Sequence, residues 1–256
     1  MIEYYIYAGG QSMKYLLLLL TLISLLSSNE YKKIQFPSKD GLPISAHLYS
    51  DDNKSKPFIL LLHQANYSKG EYLEIAPRLT QMGFNVMAVD LRSGDTVNNI
   101  ANEISDIALE KDLDISYLAT LPDIEASLAY IKNHLSQGTL LLWGSSYSSG
   151  LALYMAGIDE SIDGVLAFSP GEYYKKRGKT FIEDSVKTLK IPVFITSAKD
   201  EKKYWWNIYN AIPSKEKTYY LPPTKGAHGA KALRKNNPSH EGYWEAVNIF
   251  LKRFVN

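Results

Sequence analysis

The sequence predicts an α/β protein with a doubly wound, mostly parallel sheet, an N-terminal antiparallel hairpin and helices on both faces. Three observations carry this. Short, continuous apolar runs recur at Phe58 to Leu62, Val86 to Val89, Thr139 to Leu142, Val165 to Phe168 and Val193 to Thr196, as strands buried on both faces require. Segments with helical spacing separate them. The stretch before them behaves differently: Tyr31 to Phe36 and Ile44 to Tyr49 alternate apolar and polar residues around Lys39-Asp40-Gly41, the pattern of a hairpin at a sheet edge.

The elements follow in order. Ser68-Lys69-Gly70-Glu71 fits a capping box, Leu73, Ala76, Leu79 and Thr80 recur at helical spacing, and Gly83 follows as a stop, which predicts a first helix. A long connection is expected from Ser93 to Leu121. Pro122 then opens a helix from Asp123 to Leu135 that closes at Gly138. Another helix follows Ser146 and ends near Gly157, and a further strand is expected from Thr218 to Leu221. The last helix runs from about Glu241 to Phe254, with Trp244, Val247, Phe250, Leu251 and Phe254 on one stripe and Ser239 as cap. Gly171 to Lys190 is too short a connection for a large cap domain.

The chain has 256 residues, 45% of them hydrophobic, enough for one sizeable core. A formal net charge of +1 and only short basic clusters give no reason to expect a nucleic-acid partner. There is no cysteine, which excludes a disulfide framework, a thiol nucleophile and thiolate metal sites. His47 and His134 have no acid at ligand spacing, so no metal and no cofactor is expected.

Near the N-terminus, Lys14 precedes an apolar stretch from Tyr15 to Leu26, followed by Ser27, Ser28 and polar Asn29. This reads as a secretory signal peptide, shorter than a membrane span of about 20 residues. Residues 1–28 are thus expected to be an upstream extension plus a leader starting at Met13, and 29–256 one domain. Export to the periplasm or medium without stable membrane insertion is the expectation. An uncleaved membrane anchor is the alternative.

The stretch Trp143-Gly144-Ser145-Ser146-Tyr147-Ser148-Ser149-Gly150 leaves the apolar run Thr139 to Leu142 directly. A turn that presents a serine between strand and helix strains that residue and needs small neighbours two positions either side. Gly144 and Ser148 meet that need around Ser146. Ser145 would be flanked by Trp143 and Tyr147, and Ser148 would fall inside the helix. Ser146 is therefore the candidate nucleophile, with Ser148 standing where the full G-x-S-x-G pattern has glycine.

A serine nucleophile in such a sheet calls for an acid after a later strand and a histidine beyond it. Asp200 follows the strand ending at Thr196, with Glu201 next to it as the competing acid. His228 lies in Gly226-Ala227-His228-Gly229, whose small residues let a loop fold the imidazole over the serine. His240, just before the last helix, is a competitor better suited to the surface.

This order of motifs resembles the α/β-hydrolase superfamily, and within it the cap-poor enzymes similar to dienelactone hydrolases and exported bacterial serine esterases. The resemblance extends to His63-Gln64-Ala65, where such proteins usually have His-Gly, and to Asp90-Leu91-Arg92-Ser93-Gly94, which looks like their Asp-x-x-Gly loop. It implies an α/β-hydrolase fold and a Ser146-His228-Asp200 triad cleaving a small or medium acyl ester through an acyl-enzyme. The implied oxyanion donors are the main-chain N–H groups of Tyr147 and of Ala65 or Gln64. His63 would brace the oxyanion turn rather than titrate. Tyr173, Tyr174 and Tyr67 are candidates to line the substrate pocket. The implied partner is a small-molecule acyl substrate. Acyl transfer or peptide cleavage by the same triad, and a non-catalytic binding protein on this fold, are the competing functions.

Overall fold

The computed structural model describes residues 31–255. The extension and leader expected over residues 1–28 lie outside the described residues. β1 (Lys32–Pro37) and β2 (Pro43–Tyr49) form the expected antiparallel hairpin. Its turn depends on Gly41, whose φ of 85° lies in the left-handed region that glycine adopts without a Cβ clash. The remaining strands are β3 (Phe58–Leu62), β4 (Asn85–Val89), β5 (Leu140–Ser145), β6 (Gly164–Phe168), β7 (Val193–Thr196) and β8 (Lys217–Tyr220). They line up in one sheet in the order β1-β2-β4-β3-β5-β6-β7-β8. From β4 to β8 every pairing is parallel.

Burial explains the strand sequences. Every residue of β3, β4 and β5 is buried, so these strands read as unbroken apolar runs rather than alternating ones. Replacing a central side chain such as Leu60 with Ala would cost about 2–5 kcal/mol in lost transfer and cavity terms. β8 is only partly buried and carries Lys217, as a strand at the sheet edge commonly does.

The helices are α1 (Ala76–Gln81), α2 (Glu103–Glu110), α3 (Leu121–Tyr130), α4 (Tyr147–Ile158), α5 (Phe181–Ser185), α6 (Lys202–Ala211) and α7 (His240–Leu251). α3 packs on β3, α4 on β3, β5 and β6, and α7 on β7 and β8. Two departures from the sequence reading lie between β3 and α3. The Ser68–Gln81 region is not one helix but a 3₁₀ turn at Lys69–Tyr72 followed by short α1. Ser68 does cap that turn, accepting the Gly70 N–H, whereas Glu71 faces the interior and is buried. The expected connection from Ser93 to Leu121 contains α2, whose cap is the Asn102 side chain accepting the Ser105 N–H. Only Ile104, Ser105 and Ala108 of α2 are buried, so its apolar stripe is too narrow to stand out in the sequence.

Strand order also sets where a site can form. After β3 the chain turns to one side to make β4, then crosses back to place β5 on the other side of β3. A crevice opens at the carboxyl ends of strands where the winding reverses. His63, Gln64 and Ala65 leave β3 there, and Ser146 leaves β5 beside them.

Candidate active site

Ser146 follows β5 immediately and precedes α4, with φ 59° and ψ −124°. That left-handed conformation is rare for a residue with a side chain and costs of order 1–3 kcal/mol. Its surroundings enforce it. A Cβ on Gly144 would collide with the Ser149 backbone, so only glycine fits there. Ser148 does more than tolerate the place of the second glycine: its hydroxyl accepts the Ser145 N–H at 2.9 Å and lies 2.9 Å from the Leu62 carbonyl. The serine thus ties the turn to the end of β3.

His228 comes from the loop after β8. Its Nε2 lies 2.8 Å from the Ser146 Oγ, and its Nδ1 lies 2.6 Å from Oε1 of Glu201. The carboxylate against His228 is therefore that of Glu201, not the expected Asp200. The reason is local. Ala198 opens a 3₁₀ turn over Lys199–Glu201, and Glu201 Oε2 accepts both the Ala198 N–H at 3.2 Å and the Ser169 hydroxyl at 2.6 Å. These bonds draw Glu201 inward, and the turn leaves Asp200 exposed. Burial pushes the Glu201 carboxyl up, but hydrogen bonds from His228 and Ser169 outweigh it and hold the group below its ordinary range.

The loop carrying His228 is pinned next to the imidazole. The Gly229 N–H donates to the Ser169 hydroxyl at 2.8 Å, and that same hydroxyl donates to Glu201. Ser169 itself has φ 55°. The following N–H, of Ala230, donates to the Ser145 hydroxyl at 2.9 Å. Gly229, with φ 65°, needs to be glycine, since a Cβ there would come within 2.6 Å of the Ser145 Oγ.

On the β3 side, His63 is buried and neutral. Its Nδ1 lies 2.8 Å from the Gln64 carbonyl and its Nε2 accepts the Leu91 N–H at 2.9 Å. Burial holds it at about 4, well below ordinary imidazole, so it braces the turn as a neutral group. Gln64, one of two expected oxyanion donors after β3, uses its N–H to bond Glu71 Oε2 at 2.8 Å. Of the two expected donors after β3, the Gln64 N–H is thus already taken. Tyr147 is the first residue of α4, where backbone N–H groups have no intrahelical acceptor.

The three tyrosines separate. Tyr173 is partly buried with its hydroxyl 3.0 Å from the Ser169 carbonyl. Burial raises its phenol to about 12, against an opposing interaction with the Ser146 side chain. Tyr174 is not a lining residue: it is buried, and its hydroxyl donates to the Tyr147 carbonyl. Tyr67 packs under the side chains of Lys231 and Arg234. His240 lies at the start of α7 and pairs with Glu241.

The Asp90-Leu91-Arg92 segment supports the crevice from behind. Buried Asp90 pairs with buried Lys69 at 2.6 Å. Arg92 forks onto Asp123 and Asp40, at 2.7 and 2.6 Å. Such bidentate pairs fix geometry as well as contributing energy.

No protein-family model matches the chain, and no curated protein matches it in sequence. Solved structures do match. An esterase from Pyrococcus furiosus superposes with a TM-score of 0.67 at 18% identity, covering 90% of this chain and 94% of its own. A dienelactone hydrolase from Anabaena variabilis gives 0.68 at 12% identity, over 89% of this chain and 99% of its own. The esterase domain of a Rhodothermus marinus protein gives 0.63 at 14% identity, over 89% and 100%. With this strand order and these neighbours, the chain has the α/β-hydrolase fold.

Proposed function

We propose that the protein is a serine hydrolase that cleaves carboxylic esters of small or medium acyl groups through an acyl-enzyme. The observation that carries this is the continuous path Glu201 to His228 to Ser146, with hydrogen bonds of 2.6 and 2.8 Å ending on a serine held at φ 59°. In this reading Ser146 Oγ attacks the acyl carbonyl as His228 Nε2 takes its proton. The Tyr147 and Ala65 N–H groups receive the developing oxyanion. A single such donor is worth about 2.7–4 kcal/mol of barrier.

Collapse of the tetrahedral species expels the alcohol, which takes its proton from His228. Water then attacks the acyl-enzyme with His228 again as base. Glu201 keeps the imidazole in the tautomer whose Nε2 can accept, and stabilises the imidazolium that forms. Tyr173, the lining residue of this reading, stands beside Ser146 on the side of β6. The names of the structural neighbours, two esterases and a dienelactone hydrolase, are consistent with ester chemistry. Residues 13–28 serve in the same reading as an export leader, which N-terminal sequencing of the mature protein checks.

The test is a fluorophosphonate probe together with a panel of p-nitrophenyl esters of increasing chain length. Wild-type protein should be labelled at Ser146 and turn over the shorter esters, and Ser146→Ala should do neither. Correctly folded wild-type protein that takes no label and cleaves no ester would overturn the proposal.

A further inference from the structure

A second carboxylate lies on the opposite side of the nucleophile. Glu71 is buried, only 1% exposed. Its Oε2 accepts the Gln64 N–H at 2.8 Å and its Oε1 accepts the Ser145 hydroxyl at 2.9 Å. The Ser145 oxygen in turn accepts the Ala230 N–H at 2.9 Å. One carboxylate therefore joins the turn before Ala65, the residue before Ser146, and the loop two residues beyond His228.

We infer that Glu71 is a positioning residue for the proposed hydrolysis, holding the Ala65 N–H and the His228 loop in register with Ser146. This rests on the serine-hydrolase reading. The directions of these bonds distinguish the forms the residue can take. The Gln64 N–H and the Ser145 hydroxyl both donate to Glu71 while the Ser145 oxygen receives the Ala230 N–H. An ionised carboxylate accepts both, whereas a carboxylic acid or an amide at 71 accepts at one atom and donates at the other, which turns the Ser145 hydroxyl hydrogen away from it.

A proton on Glu71 reverses the Ser145 arm of the clamp, so that the Ser145 oxygen receives both Glu71 and the Ala230 N–H and its own hydrogen loses the carboxylate as acceptor. The groups facing it are Arg234 and Lys231, which follow His228 in sequence, and Tyr72 beside it, with neutral His63 behind the Gln64 turn. Burial pushes Glu71 up to about 7 against the favourable hydrogen bonds and cations, so the clamp loosens within the working range of such chemistry.

Glu71→Gln fixes the site in the arrangement of the protonated acid, and the full chain with this change is compared with wild type on one p-nitrophenyl ester. At alkaline pH the variant should lose about 100-fold in kcat, the usual cost of misplacing a reacting group by about 1 Å. KM should change little, because the contacts at fault act in the transition state. The ratio of wild type to variant should shrink as pH falls through about 7, a change that a purely structural role does not produce. Should the variant fail to fold, Ser145→Ala breaks the same chain one link further on and must show the same loss of kcat. Unchanged kcat in either folded variant of an active enzyme, or a ratio constant across pH, overturns the inference alone. A folded wild type inert to ester and fluorophosphonate overturns the hydrolase reading, and the inference with it.

Discussion

Glu201 and Glu71 approach Ser146 from opposite sides through the same device. Each accepts a serine hydroxyl, Ser169 for Glu201 and Ser145 for Glu71, and each of those serines accepts a backbone N–H from the loop after His228, Gly229 or Ala230. Their titration nonetheless differs. Glu201, with its side chain 20% exposed, also receives the His228 Nδ1 and is held below the ordinary glutamate range. Glu71 is sealed from solvent, makes no side-chain ion pair among the described residues, and is raised to about 7. A relay of hydrogen bonds positions a carboxylate, but solvent access and a direct basic partner decide its protonation state.

The sharpest way to break this comparison is to neutralise Glu201. Glu201→Gln keeps the shape but removes the charge that orients His228, and kcat for a p-nitrophenyl ester should fall by about 10⁴, as when a triad carboxylate becomes an amide. A fall no larger than that of Glu71→Gln would mean that the two glutamates share one role.

Next in size is the dependence of stability on pH, where the two should have opposite signs. Glu71 has a folded value of about 7, above the ordinary 4.5. The stability it contributes is complete below 4.5 and is lost as pH rises through 7. Glu201 is lowered, so its contribution is present above 4.5 and is lost as pH falls through its folded value. Urea midpoints measured between about pH 5 and 8 should therefore show Glu71→Gln gaining on wild type as pH rises. Glu201→Gln should lose its deficit only in stronger acid. Parallel curves for the two variants would remove the distinction.

Smaller effects probe the turn that both relays brace. Ser148→Ala removes the hydroxyl that bonds the Ser145 N–H, and should cost about 1 kcal/mol in urea unfolding. The smallest effect is expected of Asp200→Asn. That side chain is exposed and bonds no part of the site, so ester turnover should be unchanged, and a large loss would restore Asp200 as the partner of His228.

The parts of this site that were legible in the sequence are those whose requirements are local. A left-handed serine between strand and helix needs small neighbours, so Gly144 and Ser148 single out Ser146 from four serines. A loop that must fold back needs small residues, and Gly226, Ala227 and Gly229 flag His228. Asp200 and Glu201 differ by one place on a 3₁₀ turn, and neither composition nor spacing says which points inward. Glu71 was harder still, since its offset of three from Ser68 matches a capping box. The cap at Ser68 does form, but the buried donors at Gln64 and Ser145 hold the glutamate carboxylate instead.

The alternation of strand and helix, the edge hairpin, and the choice of Ser146 and His228 as candidates were determined by the sequence alone, because side-chain size and periodicity act over a few neighbouring residues. Which carboxylate faces His228, the use of the Gln64 N–H by Glu71, and the burial of Glu71 against Gln64 and Ser145 were decided by the tertiary structure. Each depends on a donor or acceptor brought from a distant part of the chain, and on the cost of burying a polar group that finds no such partner.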